Sequence, residues 1–217
     1  MLLFFLMFLL FFFTIIYFYN KYKNECVVLQ TIKLDDINIE IVDDTCKEGL
    51  PHTTDSRTIR MTRSIWKGPR FDNVLRHERV HLSQKGARRT DWLDFYEREW
   101  GYKCSATPPP GIPGELVTKR RQNPDTDDCP WAVWRGRYVF FPAFGTDKTL
   151  RGAEVIVWDL ERNRQCTIPE EWRAEFCSNG KCPNQYEHPH EISAEWITDG
   201  PSVIKAPAAY KLFAWDK

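Results

Sequence analysis

Hydrophobic and polar positions are arranged in three ways along this chain, and each way predicts a different kind of element. Residues 1–19 are apolar at every position but Thr14, with no polar face at all. From Cys26 to Asp44 the chain is rich in Val and Ile and alternates at period two, as in Ile37-Asn38-Ile39-Glu40-Ile41, the pattern of half-buried strand. Residues 45–56 are polar and loop-like. Ile59–Ile65 alternates again and stops at the turn signal Lys67-Gly68-Pro69. Residues 71–86 hold no internal proline and read as a helix. A second helix is expected from about Asp91, with Trp92, Leu93, Tyr96 and Trp100 on one stripe and Gly101 as its C-cap. The prolines between Cys104 and Gly114 exclude regular structure there. Strands are expected at Ala132–Trp134, Tyr138–Phe141 and Val155–Trp158, followed by a polar stretch over 161–187. A last helix should begin at His188-Pro189, because proline is preorganised for the first helical position. The sum is an α+β fold.

Composition changes this picture mainly at the N-terminus. The chain has 217 residues, with Lys plus Arg equal to Asp plus Glu at 30 each, so no global field attracts nucleic acid and none is expected as a partner. Every charge lies after residue 20. Nineteen helical residues rise about 28 Å, close to a bilayer's hydrocarbon thickness. Nothing basic precedes Leu2, and no small-residue cleavage site follows the run, which argues against a removed signal. Tyr17, Tyr19 and Tyr22 suit an interfacial belt, and Lys21 and Lys23 suit headgroups. Residues 1–22 are therefore expected to form a single-pass transmembrane anchor and residues 25–217 the body, with a β-rich insertion at about 105–165. Positive charge on the C-terminal flank alone places the body on the cytoplasmic side of a membrane. Seven cysteines form an odd set, so at least one thiol is unpaired or pairs between chains. Cys177 and Cys182 are expected as a disulfide or plain thiols, in preference to a zinc site with Cys166 and His188. The basic runs Arg88-Arg89 and Lys119-Arg120-Arg121 are expected to be solvated surface.

The candidate chemistry lies in Arg76-His77-Glu78-Arg79-Val80-His81-Leu82-Ser83-Gln84, which contains His-Glu-x-x-His. Two imidazoles four apart on a helix share a face and can hold one zinc ion, while the intervening Glu reaches the same side. The bland alternative is an amphipathic helix with an exposed or structurally bonded His pair. A catalytic zinc needs a third protein ligand and an open position. Gln84 and Ala87 stand where a metzincin would have Gly and His. Glu97 and Glu99 lie on the nearer helix and are rival ligands. The gluzincin pattern, Glu-x-x-x-Asp on a downstream helix, is matched by Glu191-Ile192-Ser193-Ala194-Glu195 with Glu for Asp. There Glu191 would bind zinc and Glu195 would orient a histidine N–H behind it. Two like charges at i and i+4 also invite a compensating cation.

The run Val74–Gln84, then Asn123-Pro124-Asp125, then His188-Pro189-His190-Glu191-Ile192-Ser193-Ala194-Glu195, resembles predicted gluzincin-type metallopeptidases of large DNA viruses. The paired motifs are also similar to the CAAX prenyl protease and thermolysin-like groups. The resemblance spans roughly residues 57–197, with only the two zinc motifs specific. It implies a zincin-like domain, one Zn2+ held by His77, His81 and Glu191, and Glu78 as general base. In such peptidases an edge strand pairs with the extended substrate, and Ile59–Ile65 is the candidate. Tyr186, His188 and His190 are the candidates for oxyanion support. The function expected is a membrane-anchored zinc metallopeptidase acting on a peptide or protein. The alternative is a non-catalytic anchored viral structural or interaction protein of the same fold.

Overall fold

The computed structural model describes residues 26–145, 149 and 152–199. It is α+β, with two sheets and five helices among the described residues. β1 (Val28–Leu34) and β2 (Ile37–Val42) form an antiparallel hairpin. Asp35 makes the turn with a positive φ of 56°, a conformation that Asp tolerates better than most residues. β4 (Thr58–Thr62) pairs parallel to β2, and β3 (His52–Thr53) closes the other edge, giving the order β1-β2-β4-β3. The second sheet is an antiparallel meander, β5 (Tyr102–Ser105), β6 (Trp131–Trp134), β7 (Tyr138–Phe144), β8 (Ala153–Asp159) and β9 (Arg164–Cys166).

The helices are α1 (Phe71–Lys85), α2 (Arg89–Glu99), α3 (Gly114–Lys119), α4 (Glu170–Phe176) and α5 (Pro189–Asp199). α2 ends as its sequence demands: Gly101 takes φ +70°, a left-handed conformation favouring glycine. α5 starts at Pro189 with His188 as its cap, because the His190 N–H donates to His188 Nδ1 at 3.1 Å.

Two cores of different chemistry meet at α1. The first sheet buries an aliphatic cluster of Ile37, Ile39, Ile41, Ile59, Met61 and Ile65, into which α1 inserts Leu82. The second sheet buries an aromatic cluster, including Trp92, Tyr96, Tyr102, Trp134, Phe140 and Trp172, into which α1 inserts Val80. The outer face of the second sheet carries a further cluster of Trp131, Val139, Phe141 and Trp158, packed by Leu116 and Val117 of α3. α1 thus lies at the seam of both cores, and α5 packs beside it.

Several expectations are corrected here. No helix among the described residues is long and apolar enough to cross a membrane. The described fold therefore lacks the transmembrane helix expected of it, and nothing in it supports the single-pass membrane location. Residues 1–22, to which that span was assigned, lie outside the described residues. Disulfides link Cys26–Cys46, Cys104–Cys129 and Cys177–Cys182, leaving Cys166 free. Such bonds persist in oxidising compartments, against the cytoplasmic setting expected of the body. They also dissolve the alternative Cys3His zinc site. The polar stretches held structure that alternation could not reveal: β3 within 45–56, and β9 and α4 within 161–187. Finally, Ile59 and its neighbours form an interior strand, with β3 outside it.

Candidate metal centre

α1 carries His77 and His81 one turn apart, and α5 brings Glu191 across to them. His77 Nε2 and His81 Nε2 are 3.1 Å apart. Glu191 Oε2 lies 3.4 Å from the first and 3.5 Å from the second. A tetrahedral zinc with arms of about 2.0–2.1 Å has ligand–ligand edges of about 3.3 Å, so these three atoms outline one face of that tetrahedron. The donor set, two imidazoles and a carboxylate, is also the one that suits a catalytic zinc.

The electrostatics of these side chains point the same way. Burial by itself would lower the pKa of His81, but the carboxylates of Glu191 and Asp125 more than reverse this and push it up to about 10. Burial would raise that of Glu191, yet His81 and His77 hold it well below the usual carboxylate range. Protons and a metal ion would compete for these same atoms.

His81 and Glu191 are held from behind. The His81 Nδ1–H donates to Gln84 Oε1 at 2.7 Å, so that in the neutral ring the lone pair is on Nε2, facing His77 and Glu191. The Gln84 amide N–H groups lie within bonding distance of Tyr96 Oη (3.0 Å), Ser193 Oγ (2.8 Å) and the His190 carbonyl (3.2 Å), so one side chain ties α1 to α2 and α5. Asn123 Nδ2 donates to Glu191 Oε1 at 2.6 Å. The same Asn123 caps the turn Pro124–Thr126, its Oδ1 accepting from the Asp125 N–H at 3.1 Å.

Glu78 is 3% exposed, its carboxylate converges with His81 and Asp125, and its Oε2 has no hydrogen-bond partner. Burial pushes its carboxyl well above the usual range, and repulsion from Asp125 and Glu191 adds to this against the pull of His81. Glu78, His81 and Asp125 form a second group of convergent ligand atoms. A cavity of about 770 Å3 opens over the site, lined by His77, Glu78 and Glu191 among others. That volume lies within the range of small-ligand and peptide clefts.

Other expected roles fall differently. Glu195 orients no histidine: its Oε1 accepts from Asn184 N and Nδ2, both at 2.9 Å, and its Oε2 from Gln185 N at 3.0 Å. The histidine-orienting role belongs to Gln84, three residues beyond His81 on the same helix. Glu97 and Glu99 are exposed on α2 and join neither group of ligand atoms. The three residues considered for oxyanion support do not line the cavity. His188 Nε2–H donates to the Cys129 carbonyl at 2.8 Å, His190 Nδ1–H to that of Asp125 at 3.1 Å, and Tyr186 packs on Phe140 and Trp172.

The edge strand also behaves differently from the expectation. At β3 the Thr53 N–H donates to Asp125 Oδ1 at 2.8 Å, and Lys85 Nζ donates to the Thr53 carbonyl at 2.9 Å. Both outward backbone groups of that residue are taken, so no substrate strand adds there. His52, beside it, lines the cavity and was missed in the sequence because a two-residue strand has no periodicity to detect.

No protein-family model matches this chain, and neither a curated protein nor a solved structure is significantly similar to it.

Proposed function

We propose that the protein is a metal-dependent hydrolase of peptide bonds, with one zinc ion held by His77, His81 and Glu191. The observation that carries this reading is the convergence of three ligand atoms, 3.1–3.5 Å apart, one of them on His81, which also converges with the buried carboxyl of Glu78, whose Oε2 has no hydrogen-bond partner. An ion held there would supply Lewis acidity and lower the pKa of a water molecule. Glu78 is the proton acceptor: it lies beside His81 without being spent in a hydrogen bond at Oε2, and its burial strengthens it as a base. The same carboxyl then returns the proton to the departing amine. Gln84 holds His81 in the tautomer that leaves Nε2 free, and Asn123 fixes the carboxylate plane of Glu191.

The closed edge at Thr53 favours one alternative, a metal-holding interaction module without turnover. Glu78→Gln separates the two readings. Under the first, zinc stoichiometry is retained and cleavage of any peptide hydrolysed by the parent is lost. Full turnover by the Gln variant would overturn the mechanism, and zinc binding without turnover in the parent would select the alternative.

A further inference from the structure

Lys119-Arg120-Arg121 reads in the sequence as solvated surface, yet Arg120 and Arg121 line the same cavity as Glu78 and Glu191. The segment leaves α3 and is pinned to β7. The Arg121 N–H donates to the Pro142 carbonyl at 2.8 Å, and Arg120 forms a backbone bridge with Ala143. The Arg120 guanidinium stacks over Trp131, 4.9 Å from the ring centroid, and its Nη1–H donates to the Pro130 carbonyl at 3.0 Å. It is thereby held in one orientation with most of its five donors unspent. Arg121 Nε is buried and has no hydrogen-bond partner. Asp127 acts on Arg120 and Glu187 on Arg121 through space, but neither guanidinium forms an ion pair with a carboxylate among the described residues. Two half-buried guanidinium groups, that of Arg120 preoriented and neither in an ion pair among the described residues, therefore share a cavity with Glu78 and Glu191.

We propose that Arg120 and Arg121 form a carboxylate-binding subsite, so that the peptide presented to Glu78 carries an acidic group at a fixed distance from the bond to be cut. This rests on the peptidase reading for the nature of the occupant. A planar guanidinium matches a carboxylate with two parallel hydrogen bonds. A singly charged carboxylate fits better than a dianion, because Glu78, Asp125, Glu191 and Glu195 line the same cavity and repel negative charge. The carboxylate can be an acidic side chain or the free C-terminus of the peptide, and the two sources are separable.

The test measures binding without turnover, using the zinc-loaded full chain carrying Glu78→Gln and four fluorescent hexapeptides read by anisotropy. The peptides contain Glu or Gln at one scanned position and end in a free carboxylate or an amide. Charge-assisted hydrogen bonds predict that one source of carboxylate improves affinity about 10- to 100-fold. A gain from Glu in the amidated peptide assigns the side chain; a gain from the free terminus in the Gln peptide assigns the C-terminus. Arg121→Gln should remove most of that gain, and Arg121→Glu should shift preference to a fifth, amidated peptide with Lys at the scanned position. Arg120→Gln should act alike, with Arg121→Glu as the deciding variant if the loss of the Trp131 stack unfolds it. Equal binding of all four peptides, no binding of any, or a gain unaltered by both Arg121 variants would overturn the subsite. If the subsite holds but wild-type protein cleaves none of the bound peptides, the peptidase reading fails and this one stands.

Discussion

The two helices that carry the candidate metal centre are built on opposite principles. α1 is a surface helix: Asp72, Asn73 and Arg76 are exposed while Val80, His81, Leu82 and Gln84 are buried. α5 has no solvent face from Pro189 to Ile197, where every residue is buried. Four of those nine are polar, and each has a partner outside the helix: His190, Glu191 and Ser193 from 65 or more residues away, in Asp125, in Asn123 and the histidines, and in Tyr96 and Gln84, and Glu195 from the nearby Asn184 and Gln185. Burying an unpaired polar group costs on the order of 1–3 kcal/mol, so α5 is stable only because segments outside it supply its partners. The difference teaches that α1 offers the ligands and α5 is the element whose placement completes or destroys the centre.

The strongest way to break this comparison is at Glu191. Glu191→Ala should weaken zinc binding by orders of magnitude, because the site loses both a charge and a ligand. Glu97→Ala and Glu99→Ala, on the exposed face of α2, should leave it unchanged. Competitive titration with a chromophoric chelator ranks the three, and unchanged affinity in the Glu191 variant would remove α5 from the centre.

Packing is the next test. Ile192 is fully buried, so Ile192→Ala should cost about 2–5 kcal/mol in chemical denaturation. Asp72→Ala, on the open side of α1, should cost less than about 1 kcal/mol. Similar costs for both would show that α5 is held more loosely than its burial indicates.

The pH dependence of the metal-stripped protein probes the charges between the helices. The pKa of His81 is raised to about 10, so its stabilising contribution is fully present below the unfolded value of 6.5 and is lost as pH rises through about 10. The raised pKa of Glu78 acts in the same direction from a lower starting pH, its contribution fading above 4.5. The melting temperature of stripped protein should therefore fall by roughly 5–10 °C between pH 6.5 and 10, and His81→Gln should flatten the slope. A slope in stripped protein that is unaffected by His81→Gln would assign the titration elsewhere.

The smallest effect concerns the amide that joins the helices. Gln84→Leu should reduce zinc affinity about 10- to 100-fold while preserving the ligand set, as expected when a group behind a ligand is lost. Gln84→Glu keeps the acceptor for His81 and should recover part of it. If Leu and Glu act alike, Gln84 serves packing and does not orient the histidine.

The sequence by itself determined the elements with strong local signals. The period-two runs around Ile39 and Ile59 are strands, the span from Phe71 is a helix, Gly101 ends the next one, and Pro189 begins the last. The four-residue spacing of His77 and His81 was equally legible, because helix geometry alone puts i and i+4 on one face. Only the tertiary structure decided what lies behind them. Gln84 reads locally as an ordinary helical residue, and its role arises from contacts with Tyr96, His190 and Ser193, 12 to 109 residues away. Glu195 matched a pattern that called for orienting a histidine, yet it went to the Asn184–Gln185 backbone, the nearer set of unpaired N–H groups. Arg120 and Arg121 read as solvated until β7 and Trp131 folded them into the cavity wall. The physical reason is common to all three. Hydrophobic periodicity is a property of neighbouring residues, whereas the partner of a buried polar group is chosen by whichever donor or acceptor the fold brings within about 3 Å.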